Sequence, residues 1–162
     1  MIECNAMQML DYRAAVSADA EECVELRGRT RENAISASTL ASLGITATTW
    51  GSSIETGQLP GRVCTVNSQI VAYCFGDSGT GEIVVLAVLP QYEDRGIGKA
   101  LLSSVMEELR KLGHKRLFLG CSSNSAHRSY GFYRHLGWRP TGQFDDNDDE
   151  VLEYRWQRRE PD

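Results

Sequence analysis

Hydrophobic and polar positions recur along this chain with two periods, and together they predict a sheet with helices packed on it. The clearest element is a helix beginning near residue 98. Leu101, Leu102, Val105, Met106, Leu109 and Leu112 return every three or four positions, while Glu107, Glu108, Arg110 and Lys111 take the opposite face. Gly113 follows the basic last turn and supplies a stop. Just upstream, residues 82–89 are all Val, Ile, Leu or Ala after Glu82. Such a continuous run predicts a central strand covered on both faces. Pro90 ends it.

Shorter patterns fill in the rest. Strands are predicted at 12–16, 62–66, 70–75, 116–121, 138–144 and 151–156, with turn signals at 67–69 and 77–81. Ser17 offers the N-cap of a first helix, with Asp19, Glu21 and Glu22 in its first turn and Cys23, Val24 and Leu26 on its buried side. The Ser/Thr/Ala-rich stretch 34–57 holds helical fragments at 38–43 and 48–54, and a last helix covers 125–136 up to Gly137. The order β-α-α-β-β-β-α-β-α-β-β implies an α/β (α+β) fold. It is a mixed, mostly antiparallel central sheet of about seven strands flanked by about four helices. Residues 1–10 read as a loose leader and 11–158 as one domain.

Composition narrows the function. Acidic residues outnumber basic ones 22 to 17, for a net charge of −5, which disfavours a nucleic-acid partner. A neutral or cationic substrate suits that balance. The five cysteines, Cys4, Cys23, Cys64, Cys74 and Cys121, show no C-x-x-C spacing, so neither a disulfide framework nor a metal site is expected. The first residues lack the basic and apolar regions of a signal peptide, and no apolar run has the length of a membrane span. A cytoplasmic location without a membrane partner follows as the expectation. No oligomeric state is legible, and a homodimer stays open.

The chemistry concentrates in residues 86–101, LAVLPQYEDRGIGKAL. A buried strand stops at a proline, a short loop with Gly96 and Gly98 follows, and a long helix starts at once. Glycines let the backbone turn tightly and approach a ligand. The free N–H groups of the helix start then point into the loop, which makes an anion site of pyrophosphate size at Asp94, Arg95, Gly96, Ile97, Gly98 and Lys99. A βα turn whose glycines only solve a packing problem is the alternative. Two other phosphate loops are excluded: Lys99 is followed by Ala100, against the Walker spacing, and no G-x-G-x-x-G follows the first strand.

The pattern LxVxP followed by RGIGxALL resembles the acetyl-CoA-binding signature of the GNAT superfamily of N-acetyltransferases. A second segment, SYGFYRHLGW at 129–138, is similar to that family's A/S-x-x-F-Y-x-x-x-G-F helix and following strand. The two stand in the family's order, with a strand between them. The resemblance implies an acetyl-CoA-dependent N-acetyltransferase with a primary amine of a small molecule or peptide as acceptor. The amine attacks the thioester directly and passes through a tetrahedral intermediate. It also implies that the backbone of Leu86, Ala87 and Val88 pairs with the pantetheine arm like an added strand.

Individual roles follow from the same resemblance. Tyr133 is the expected general acid toward the departing thiolate, with Phe132 beside it in the core-packing role and Tyr130, one turn earlier, a decoy. Glu82 is the candidate base, acting through water. The chain departs from the family pattern in four places. Glu93 stands where Gln or Arg is common and Asp94 where Gly is, and Arg95 and Lys99 are expected to offset these acids. Ala126 replaces a cofactor-contacting Asn, for which Asn124 is the candidate substitute. Cys121 occupies the site of a Glu found in some relatives. These losses also admit a catalytically silent CoA-binding or regulatory module. His114, His127 and His135 read as surface residues. Residues 27–54, with Arg29, Arg31 and Glu32, and the acidic turn 145–150 are expected to build the acceptor side.

Overall fold

The computed structural model describes residues 9–32 and 34–156. Most of the leader predicted at 1–10, together with Cys4, lies outside the described residues, as do 157 and 158 of the predicted domain. Leu10 is described, and it packs half-buried against the core rather than standing loose.

Among the described residues, seven strands and five α-helices form the fold. The strands are β1 (Asp11–Ala14), β2 (Gly61–Val66), β3 (Gln69–Gly76), β4 (Ile83–Val88), β5 (Arg116–Cys121), β6 (Arg139–Phe144) and β7 (Glu150–Arg155). The helices are α1 (Ala20–Arg27), α2 (Ala37–Ser42), α3 (Ala47–Glu55), α4 (Ile97–Lys111) and α5 (Arg128–His135). Stretch 34–57 thus makes two helices, each started by a side-chain cap that accepts a backbone N–H. Ser36 caps from Thr39 and Thr46 from Thr49. No helix among the described residues is long and apolar enough to cross a membrane.

The expected single sheet is split. β1-β2-β3-β4 form one antiparallel sheet and β5-β7-β6 another. They touch through one parallel bridge between Glu82 and Phe118, where the Phe118 N–H donates to the Gly81 carbonyl at 3.3 Å. Beyond it β4 and β5 share no ladder, and the far edge of β4 is unpaired. The register of β3 on β4 shifts between Phe75 and Gly76, which adds Val84 as an extra residue and bends β4 near this junction.

The β1–β4 sheet is covered on both faces, which explains the unbroken apolar runs. On one face Tyr73 and Phe75 meet the Trp50 ring of α3 edge-on at 5.5 and 5.3 Å, and the Tyr73 hydroxyl donates to the Cys23 carbonyl. On the other, Gly76 lies directly under Leu109 and Val105 of α4, where a Cβ would clash. Leu101, Leu102, Val105 and Leu109 are buried as the periodicity demands, but Leu112 caps the helix and is 57% exposed. Ser17 does not cap α1. It begins a 3-10 turn, Ser17–Asp19, whose buried Asp19 accepts from the Val16 N–H and from two nitrogens of Arg13. Cys23, Cys64, Cys74 and Cys121 are free and buried.

Candidate active site

The end of β4 runs into a turn that presents a helix start. After Leu89 the chain makes a 3-10 turn, Pro90–Tyr92, and reaches Gly96 at φ +77°, the cap of α4. Only a residue free of a Cβ takes that left-handed conformation at no cost. No side chain caps α4, so its first N–H groups face outward unpaired by a cap. Asp94 is also left-handed, at φ +63°. Aspartate is among the few other residues that tolerate this region.

Beside this turn lies a cleft of about 320 Å³. Leu86, Ala87 and Val88 of β4 line it, with Gly96, Ile97, Gly98 and Lys99 at the start of α4 and Ser129, Phe132 and Tyr133 of α5. Of the expected cofactor residues only Arg95 and Asn124 stay out of the lining. Arg95 stacks its guanidinium over the Tyr92 ring at 5.0 Å. The Asn124 carboxamide accepts the Ala126 N–H at 2.9 Å and shapes the turn before α5, which starts at Arg128 rather than 125. Glu82 lines no part of the cleft. It sits half-buried at the β4–β5 bridge, where burial, then Asp77 and Asp145, push its carboxyl above the ordinary range.

Tyr133 is the buried member of its pair, and Phe132, expected in the core, is half-exposed and faces Gly98 across the cleft. Edge-on contacts with Phe132 at 5.0 Å and Trp138 at 6.0 Å hold the Tyr133 ring. Its hydroxyl makes no hydrogen bond among the described residues, although Tyr133 lines the cleft. Burial, with the Cys74 and Cys121 thiols nearby, pushes the phenol up, so it stays protonated. Tyr130 does not line the cleft and instead lies under the Arg134 guanidinium, 3.6 Å from the ring centre.

The acids of the loop find partners that the sequence reading did not foresee. Arg31 donates through Nε to Glu93 at 3.1 and 3.2 Å, and Arg128 reaches Asp94 at 2.6 Å and Glu93 at 3.5 Å. The Arg128 guanidinium holds the Asp94 carboxyl below its usual range. Arg95 and Lys99, expected in this role, do not take it. Arg31 and Glu32, from the stretch expected to build the acceptor side, line the cleft. The acidic turn is closed by Asp145, whose carboxylate accepts from Asn147 and Asp149 and rests against Gly120. None of the histidines lines the cleft. His114 bonds the Ser78 carbonyl and His127 the Ser122 hydroxyl.

Residues 49–138, more than half of the chain, match the profile of the Acetyltransferase (GNAT) family. The chain belongs to that family. Among its relatives, the amino-acid acetyltransferase of Aeromonas salmonicida is 31% identical over 87 residues, 54% of this chain and 19% of the relative. The mycothiol acetyltransferase of Beutenbergia cavernae is 39% identical over 64 residues, 40% of this chain and 21% of that protein. The chain spans about a fifth of the length of these curated relatives. In fold it resembles the PaiA N-acetyltransferase of Thermoplasma acidophilum, solved in complex with coenzyme A. The TM-score is 0.75 at 17% identity, over 91% of this chain and 99% of the other. Within a GNAT loop, the left-handed Asp94 explains why glycine is the pattern's residue there: the backbone asks for it, and aspartate is a tolerated exception.

Proposed function

We propose that the protein transfers an acetyl group from acetyl-CoA to a primary amine of a small molecule or peptide. One observation carries this reading: a cleft joins the unpaired edge of β4, the uncapped start of α4 and the free hydroxyl of Tyr133. An extended arm laid along β4 adds a strand to its open edge, through the main chain of Leu86, Ala87 and Val88. A diphosphate suits the outward N–H groups of α4 and the dipole behind them. The open strand edge and the helix-start donors support acetyl-CoA as the ligand.

The chain's own groups then divide the chemistry. The acceptor nitrogen forms its bond to the thioester carbon, and the carbonyl oxygen takes the negative charge until the carbon–sulfur bond breaks. Tyr133 gives its proton to the departing sulfur. Glu82 takes the proton lost by the nitrogen, through water, since it stands at the β4–β5 bridge and not in the cleft. Its carboxyl, raised by burial, is closer to neutrality than an ordinary acid and is a better proton acceptor for it. Relatives named amino-acid acetyltransferase and mycothiol acetyltransferase support an amine acceptor without fixing which one.

The alternative is a CoA-binding module without turnover, favoured by Cys121 at the site of a Glu found in some relatives and by Ala126 in place of the pattern's Asn. CoA release from acetyl-CoA, followed across a panel of amino acids, polyamines, aminoglycosides and peptide N-termini, separates the two. Amine-dependent release supports the enzyme. A melting-temperature rise with acetyl-CoA but no release with any amine supports the module, and no rise at all refutes both.

A further inference from the structure

Three chain segments far apart in sequence meet at the mouth of the cleft through charges alone. The α1–α2 connection brings Arg31 and Glu32, the loop before α4 brings Glu93 and Asp94, and the start of α5 brings Arg128. Arg31 grips both oxygens of Glu93, Arg128 spans Glu93 and Asp94, and the Arg128 N–H donates to Glu32 at 3.1 Å. The pairs lie on the loop that presents the helix start to an anion. We propose that Arg31 and Arg128 bind the phosphates of the CoA substrate, and that Glu93 and Asp94 hold both guanidinium groups until those phosphates displace them. This rests on the acetyl-CoA reading above and adds two ligand residues that neither signature motif contains.

Relative strengths decide that the exchange runs forward. Arg128 and Asp94 are 49% and 76% exposed, so their ion pair is of the weak surface kind. Glu93 is 13% exposed, and its pair with Arg31 is the firmer of the two. A phosphate offers a guanidinium stronger charge and a matching bidentate geometry. It also lies against the α4 amides, which no carboxylate of the loop occupies with a hydrogen bond among the described residues. The carboxylates would repel a diphosphate if left unpaired. Held by arginines, they are neutralised in the free protein, and the arginines are kept beside the cleft.

Calorimetric titration with CoA, which binds without turnover, tests the exchange. Arg128→Ala and Arg31→Ala should each weaken CoA by about tenfold or more, the range of a lost charge-assisted contact. Pantetheine, which carries no phosphate, should bind each variant as it binds the parent. Asp94→Asn keeps a residue that tolerates the left-handed backbone and removes the charge, and it should tighten CoA several-fold. In the Arg128→Ala background the same substitution should tighten CoA clearly less, because it then relieves only the repulsion and leaves no guanidinium to release. Equal tightening in both backgrounds would mean that Asp94 merely repels phosphate and would overturn the exchange. Unchanged CoA affinity in either arginine variant overturns that residue's role, and equal weakening of pantetheine reduces it to structural support. Absence of CoA binding by the parent protein instead removes the acetyl-CoA reading itself, and this proposal with it.

Discussion

Tyr133→Phe is the sharpest probe of the chemistry, because the structure separates what the hydroxyl does from what the ring does. The ring is 9% exposed and packs edge-on against Phe132 and Trp138, contacts that phenylalanine retains. The hydroxyl has no protein partner to lose among the described residues, so its removal forfeits no hydrogen bond. A buried unpaired polar group costs about 1–3 kcal/mol. Because this one meets the cleft, and hence solvent, the net change should stay within about 1 kcal/mol, in the variant's favour. At roughly 2–4 °C per kcal/mol for a domain of this size, the melting temperature should hold or rise slightly. Turnover should behave differently. Loss of general-acid assistance costs about 10²-fold or more, equivalent to about 2.7 kcal/mol of barrier. The assay is thiol release at saturating acetyl-CoA, beside thermal melting and calorimetric CoA affinity, with Tyr130→Phe as control. Wild-type turnover in Tyr133→Phe refutes the assignment. Equal losses in both variants, or a fall of many degrees in melting, would assign the effect to helix packing instead.

Three other outcomes test separate parts of the molecule. A Cβ at Gly98 meets only ordinary contacts, at 3.6 Å from Phe132 and 3.8 Å from Leu86 and Val88, but the methyls of Gly98→Val project among those same cleft-lining side chains. That variant should fold and lose the melting rise given by acetyl-CoA; an undiminished rise places the cofactor elsewhere. Burial raises the Glu82 carboxyl, so its ionisation opposes folding and stability falls as pH rises from the ordinary carboxylate value through the folded one. Glu82→Gln should therefore melt higher than the parent at pH 7, with the difference vanishing in acid, while the acidic limb of its pH–rate profile disappears; an unchanged limb excludes Glu82 as the base. Arg13 holds the Asp19 carboxyl below its usual value, so the stability it lends is present above the ordinary carboxylate value and lost as pH falls through the folded one. Asp19→Asn should cost about 1–3 kcal/mol at pH 7 in chemical denaturation, and less in acid; a neutral substitution would show the pair to be idle.

What the sequence disclosed follows the range over which each feature is determined. Helix α4 was legible because its apolar period, basic last turn and glycine stop lie within one segment, and the loop before it because strand, turn and helix are contiguous. The two short helices of 34–57 were legible at 38–43 and 48–54, close to Ala37–Ser42 and Ala47–Glu55. The residues that start them, Ser36 and Thr46, were not, because many hydroxyls in a Ser/Thr-rich run could serve as the cap. The division of the sheet left no local mark at all. β4 and β5 each read as ordinary strands, and their failure to pair beyond Glu82 is a relation between distant segments.

The same reasoning accounts for the loop acids. Glu93 and Asp94 lie next to Arg95 and near Lys99 in sequence, and a local reading gives the carboxylates those partners. The backbone denies the pairing. Asp94 and Gly96 are both left-handed, which turns the chain sharply, and Arg95 between them stacks on Tyr92. The carboxylates face the cleft instead, toward the α1–α2 connection and the start of α5. Arginines 62 residues before Glu93 and 34 after Asp94 take them, at separations over which sequence neighbourhood carries no information. The positive φ of Asp94 is thus the link between the two readings: the turn that opens the start of α4 to an anion is the turn that delivers the loop's acids to Arg31 and Arg128.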